Sequence, residues 1–213
     1  MDAQEIIFID LDGTLINSQD RWYRLHLDLS VKFSYCPLSK KAYISSKIKK
    51  GIKEEEIMKG TNIRLGNIFD YTKQRVEIIE NIEYLKEDKV KPGVYEFLDR
   101  KKDSYYLVLV TKRKNKENCL EQLDWTNLKQ YFDQVKIAEG FSKDLIVNEV
   151  LAEFQNPKGI LIGDTEDDLM VARKTNMKCI LVCDGVKSRE YLSNLKPDYL
   201  FDTISDVKIP ESF

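Results

Sequence analysis

Asp10 and Asp12 follow directly on the apolar run of residues 6–9, with Gly13 and Thr14 next in line. A short apolar run of this kind reads as a buried strand, so two carboxylates stand at a strand's carboxyl end. Gly13 permits the chain to turn there and lets backbone N–H groups approach a ligand closely. Two acidic groups beside amide donors and a hydroxyl suit a divalent cation held together with a phosphate.

Taken alone, Asp-x-Asp-Gly would be better read as a polar turn capped by aspartates. Three further pieces downstream set this one apart. Thr111 ends the apolar run 107–110 and is followed by Lys112-Arg113-Lys114. Lys143 lies in Gly140-Phe141-Ser142-Lys143-Asp144, and Asp164 ends a third apolar run, 160–162, after Gly163. The acids Glu166, Asp167 and Asp168 come next; a helix N-terminus favours such charges through its dipole.

The elements that must position these residues are legible as alternating patterns. Strand-like runs occur at 6–9, 105–110, 134–138, 159–162, 179–182 and 198–201, and helical patterns at 116–123, 143–154 and 167–175 separate several of them. Alternation of this kind implies an α/β fold with a parallel sheet covered on both faces. Ligands bind such sheets outside the carboxyl ends of the strands, where all four pieces lie. Between Ile16 and about Asp88 no strong strand signal appears, and residues 22–31, 38–49, 53–58 and 71–85 read as helices. In the last, Val76, Ile79, Ile82 and Leu85 recur every three residues and Ile78 widens the stripe. Lys91-Pro92-Gly93 then breaks the chain. The expected division is a core of residues 1–16 and 89–213 with a helical insertion, 17–88, after the first strand.

Composition narrows the function classes. The 213 residues are 42% hydrophobic and 33% charged, enough for a good core. A formal net charge of −2 gives no electrostatic case for nucleic acid or a membrane surface. No apolar stretch approaches the roughly 18 residues of a membrane span, and no signal-like segment precedes the first strand, so the cytoplasm is the expected compartment. Cys36, Cys119, Cys179 and Cys183 lack a common zinc spacing and read as small apolar residues in a reducing compartment. His26, four residues after Trp22, reads as a packed or surface histidine. Oligomeric state is not written in the sequence.

Asp10-Leu11-Asp12-Gly13-Thr14, strand-Thr111, Lys143 and Gly163-Asp164-Thr165-x-x-Asp168, in that order, resemble the motifs of the haloacid dehalogenase-like (HAD) hydrolase superfamily. Asp184-Gly185-Val186-Lys187-Ser188 and Lys196-Pro197-Asp198-Tyr199 resemble the C-terminal pattern of its phosphoglycolate phosphatase-like members. The resemblance implies a three-layer, Rossmann-like core with a small α-helical cap that covers the active site. It implies a magnesium-dependent phosphomonoesterase acting on a small phosphorylated metabolite, with no nucleic-acid or membrane partner. By the same resemblance Asp10 is the nucleophile that forms an aspartyl-phosphate, and Asp12 is the general acid and base. Gly13, Thr14, Thr111 and Lys112 would bind the phosphate, and Lys143 would offset its charge. Magnesium would be held by Asp10, Asp164 and the backbone carbonyl of Asp12, with Asp168 either binding it through water or orienting Lys143.

Two other readings share these residues: a phosphosugar mutase, and a silent domain that keeps only the fold. Dehalogenase chemistry is disfavoured, because the superfamily's dehalogenases lack the second aspartate. Lys112-Arg113-Lys114 departs from the small polar residues that relatives often carry after the strand threonine. It would either add positive charge near the phosphorylated acid or form a solvated loop. Asn17-Ser18 replaces an Asp-Ser pair common in related phosphatases. Arg21, Trp22, Tyr23, Arg24, Lys59 and Arg64 in the expected cap are candidates for recognising the leaving group.

Overall fold

A strand covered on both faces must be apolar at every position, and Ile6, Ile7, Phe8 and Ile9 have no exposed surface. They form β1 (Glu5–Ile9), the centre of a six-stranded sheet in a computed structural model that describes residues 5–48 and 52–210. The remaining strands are β2 (Ile16–Asn17), β3 (Lys89–Val90), β4 (Tyr106–Thr111), β5 (Gln134–Ile137), β6 (Lys158–Gly163), β7 (Lys178–Val182) and β8 (Tyr199–Phe201). The large sheet runs in the order β5-β4-β1-β6-β7-β8, with every pairing parallel. The chain moves outward from β1 to β4 and β5, then returns to β6 on the other side. Sheets of this kind hold ligands at such a reversal, outside the carboxyl ends of the strands, here those of β1, β4 and β6.

The described residues fall into two compact units, one of Met1–Asn17 with Val90–Phe213 and one of Ser18–Lys89. In the first, strand alternation divides the apolar side chains between two cores. Ile7, Ile9, Leu107, Leu109 and Ile162 face α6 (Val94–Lys101) and α7 (Lys116–Trp125) through Phe97, Leu98, Cys119 and Leu123. Ile6, Phe8, Val108, Val110 and Leu161 face α8 (Lys143–Leu151) and α9 (Glu166–Lys174) through Val147, Val150, Leu169 and Ala172. Burying one such side chain contributes about 1.5–3 kcal/mol, so β1 is a rigid platform for whatever its end carries. Cys119 and Cys179 lie within these cores as small apolar groups. A last helix, α10 (Arg189–Asn194), precedes β8.

The second unit contains α1 (Gln19–Phe33), α2 (Lys40–Ile48), α3 (Glu54–Lys59), α4 (Ile68–Ile78) and α5 (Ile82–Leu85) around Leu25, Leu29, Met58, Ile68 and Tyr71. The helix expected over 71–85 is two helices. Asn81 has extended backbone (ψ 148°), and its carbonyl accepts from Tyr84 and Leu85 to start a new turn. Asparagine competes with a helix interior but suits its first cap, which breaks the apparent stripe; Val76 is exposed while Leu85 is buried. The end of the helix expected over 38–49 lies outside the described residues. Among the described residues, no helix is long and apolar enough to cross a membrane.

Candidate active site

Register decides which side chains can meet. Ile9 pairs with Leu109 of β4 and with Ile162 of β6, so Thr111 and Asp164 stand one residue past the level of Asp10. The Asp10 amide donates to the Ile162 carbonyl at 2.9 Å, and then the chain leaves the strand. Gly13 makes that departure possible. Its φ is +88°, and a β-carbon there would lie 2.2 Å from Asp164 Oδ2. Gly185 approaches the same carboxylate from the other side, where a β-carbon would sit 2.1 Å from Oδ2. Asp164 is thus cradled between two glycines and receives the Val186 amide at 2.6 Å.

Asp10, Asp164 and Asp168 bring ligand oxygens within 4.8 Å of one another, and all three are buried. Lys143, at the start of α8 and also buried, donates from Nζ to Asp10 Oδ1 and, at 2.8 Å, to Asp168 Oδ1. The Thr14 hydroxyl lies within reach of both Asp10 and Asp164, 3.3 Å from Asp10 Oδ2 and 3.5 Å from Asp164 Oδ1. Asp168 also caps its own helix. Its Oδ2 accepts from the Thr165 amide at 3.1 Å and the Thr165 hydroxyl at 2.7 Å. Thr111 is buried at the end of β4.

The charges in this cluster do not balance. Burial, with Asp168 and Asp12 nearby, pushes the Asp10 carboxyl up to about 7 against the pull of Lys143. Burial and the neighbouring Asp10 and Asp168 push Asp164 well above the ordinary carboxylate range. Asp168 is held low, because Lys143 and Thr165 outweigh its burial. Lys143 is raised, since Asp10 and Asp168 outweigh the burial that would discharge it. Asp10 and Asp168 thus share the Lys143 ammonium, while Asp164 is eased by the Val186 amide and the charge of Lys91. Hard oxygen donors with surplus negative charge are the set a magnesium ion prefers, and the residues present fit that ion.

Other expected residues sit differently. Lys112 is half exposed and pairs with Asp167 at 2.8 Å. Glu166 pairs with Lys187 at 2.9 Å. The solvated-loop alternative fails for Arg113. Its side chain is 3% exposed and engages both oxygens of Asp12, from Nε to Oδ2 and from Nη2 to Oδ1 at 2.7 Å. Gln122, fully buried on α7, accepts from the same Nη2 at 3.1 Å. Lys91 was legible only as part of a chain break. It is buried, donates to the Gly13 carbonyl at 2.7 Å and pairs with Asp184, so it braces the loop after β1.

In the helical unit, His26 is fully buried. Its Nε2 accepts the Leu38 amide at 3.1 Å while Nδ1 meets the Tyr35 hydroxyl at 3.0 Å, so the ring is neutral and carries its proton on Nδ1. Arg21 pairs with Asp88 at 3.3 Å, Arg24 with Asp28 and Glu87, and Lys59 with Glu56. These bases are engaged by carboxylates of their own unit.

Known proteins resemble this chain in sequence and in fold. The family model described as haloacid dehalogenase-like hydrolase matches residues 6–182. A pyrophosphatase, PpaX, from Bacillus mycoides is 25% identical over 120 residues, which span 54% of this chain and only 56% of that relative. Among solved structures, a haloacid dehalogenase-like family hydrolase from Streptococcus pneumoniae superposes with a TM-score of 0.76 at 20% identity over 95% of each chain. A protein described as a predicted phosphatase from Clostridium acetobutylicum gives 0.70 at 24% identity over 96% of each.

Proposed function

The chain belongs to the haloacid dehalogenase-like hydrolase family, and from that membership we propose that it is a magnesium-dependent phosphomonoesterase that acts on a small phosphorylated metabolite through an aspartyl-phosphate on Asp10. The observation that carries this reading is the buried set of Asp10, Asp164 and Asp168, with Lys143 paired to Asp10 and Asp168, at the carboxyl ends of β1 and β6. A dianionic ester repels an anionic nucleophile, and magnesium bound by Asp10, Asp164 and the Asp12 carbonyl would supply the charge that cancels this repulsion.

The chain's own groups divide the remaining work. An Asp10 carboxylate oxygen attacks phosphorus as the ester P–O bond breaks, and Asp12 gives a proton to the departing alkoxide. Asp12 then takes a proton from water, whose oxygen displaces Asp10 and releases inorganic phosphate. The rigid end of β1 holds Asp10 in place, so little orientation remains to be lost on attack. Lys143 offsets charge on Asp10 throughout and is itself held by Asp168. Thr111, Thr14 and the backbone amides around Gly13 are read as donors to the phosphoryl oxygens. The helical unit is read as the family's cap, inserted after the first strand.

The test is phosphate release from a panel of metabolite phosphoesters and an aryl phosphate, with magnesium and with chelator. Release that requires magnesium and falls more than about 10³-fold in Asp10→Asn is expected. Release that survives in the mutant would remove Asp10 as nucleophile. Transfer of phosphate between two positions of a sugar, without net release, would make the enzyme a mutase.

A further inference from the structure

Asp12 carries opposite demands in the reaction just proposed, acid in one half and base in the other, and its setting bears on the second. A general base must hold one orientation while water comes and goes. On a loop with about a quarter of its side chain exposed, Asp12 would sample several rotamers if left alone. It is not left alone. Arg113 meets both of its oxygens side-on, and a planar guanidinium fixes a carboxylate's position and plane together. The clamp is itself fixed, because the Arg113 side chain is 3% exposed and its Nη2 also donates to the fully buried Gln122. An ionised carboxylate has about four acceptor positions, and the fork takes two.

We propose that Arg113, braced by Gln122, is a positioning residue that holds the Asp12 carboxylate for the water-activating half of the cycle. This rests on the aspartyl-phosphate reading and deepens it. The balance of the step is unchanged: water loses a proton to Asp12, its oxygen bonds to phosphorus, and the bond from phosphorus to the Asp10 oxygen breaks. Arg113 touches none of these atoms and acts only through Asp12.

An aryl phosphate separates the two halves. Its leaving group departs without a proton, so kcat/KM reports formation of the phosphoenzyme while kcat includes its breakdown. In Arg113→Met, kcat should fall about tenfold to a hundredfold, part of the 10²–10⁴ typical of a whole general base. KM should fall with it, kcat/KM should stay within about twofold, and acid-quenched phosphoenzyme should accumulate. Arg113→Lys keeps a charge but no fork and should show the same split, while Gln122→Leu should show a weaker one. In an Asp12→Asn background, Arg113→Met should add less than about twofold, since neither mutation then has the pair to break.

Thermal unfolding run alongside identifies any variant that does not fold, and the lysine variant then carries the test. Loss of kcat and kcat/KM together in a folded variant, an undiminished loss in the Asp12→Asn background, or unchanged phosphoenzyme decay would each overturn the proposal. If the wild-type protein forms no phosphoenzyme, the failure belongs to the underlying reading. If it forms one whose decay ignores Arg113, only this inference fails.

Discussion

The two units of this molecule each bury a cluster of charged side chains, and the clusters are built on opposite terms. In the core unit three carboxylates, Asp10, Asp164 and Asp168, cluster together, and one ammonium, Lys143, pairs with Asp10 and Asp168. In the helical unit one carboxylate, Glu54, accepts from three side chains and forms an ion pair with a fourth. Lys47 pairs with Oε2, Tyr43 donates at 2.9 Å, Tyr71 donates at 2.8 Å, and Arg75 lies at 3.4 Å. Burial raises a carboxyl in either setting, yet the results diverge. Arg75, Lys47 and the phenol hydroxyls outweigh it and hold Glu54 down to about 2, whereas Asp10 rises to about 7. A buried carboxylate with all its acceptor positions filled is structure; a surplus of them is a place for a cation and an anionic ligand. Burial alone therefore says little about function, and the local charge balance says much.

The hardest blow to this comparison would come from the helical side. Glu54→Leu keeps the volume but leaves the largely buried Lys47, Tyr43 and Tyr71 without their acceptor and Arg75 without its counter-charge. Removing one partner of a buried pair costs about 3–5 kcal/mol, and Tm should fall by on the order of 10 °C. A loss below about 1 kcal/mol by urea titration would mean that Glu54 is not the centre of its unit.

A second effect in the same unit depends on pH. Burial lowers His26 to about 4, and its ring stacks on Tyr43 at 4.4 Å with Tyr23 and Tyr35 alongside and the charges of Glu54, Arg75 and Lys47 nearby. A base whose folded pKa is depressed contributes stability that is complete above its unfolded pKa of about 6.5 and is lost as pH falls through its folded value. The loss should approach about 3 kcal/mol between pH 6.5 and 4. Glu54 adds to it only below about 4.5. Chemical denaturation at pH 7, 5.5 and 4.5 should show this slope in the wild type and a flatter one in His26→Gln, whatever the variant's absolute stability. Equal slopes would place the titration elsewhere.

How much of this was readable from the sequence follows from the range of each interaction. Strands buried on both faces are written as unbroken apolar runs, which made β1, β4, β6 and β7 legible to within a residue or two. The acids and the threonine at their ends were legible because parallel sheets gather chemistry there. What escaped were choices of partner across long separations. Arg113 meets Asp12 over 101 residues and Lys91 meets Gly13 over 78, and nothing local distinguishes these bases from neighbours that point to solvent. Lys112 shows the converse: adjacent to both Thr111 and Arg113, it faces out to Asp167. The Glu54 cluster escaped for the same reason, since α2, α3 and α4 each contribute a charge that would suit a solvated helix face. The split of 71–85 hinged on Asn81 alone, whose preference for a cap outweighed a regular apolar stripe.

The smallest expected effect is also the sharpest, because it turns on sign. Asp164→Asn and Glu54→Gln are the same nearly isosteric change, the loss of one buried negative charge. In the helical unit the change should destabilise, since Lys47 and Arg75 lose their counter-charge. In the core unit, at pH 8 with chelator, it should stabilise by about 1–2 kcal/mol, because Asp10 and Asp168 lose a like-charged neighbour while the amide oxygen still accepts from Val186. Magnesium then reverses the order. At about a hundredfold excess over Kd, binding adds about 2.7 kcal/mol to the wild type and little to a variant that has lost a ligand, so the two melting curves should cross as metal is added. The variant should also lose turnover, as expected where a site is strained for its task. If Asp164→Asn destabilises the metal-free protein as Glu54→Gln does, the core carboxylates are mutually satisfied without a cation. The contrast between the two units would then have no electrostatic basis.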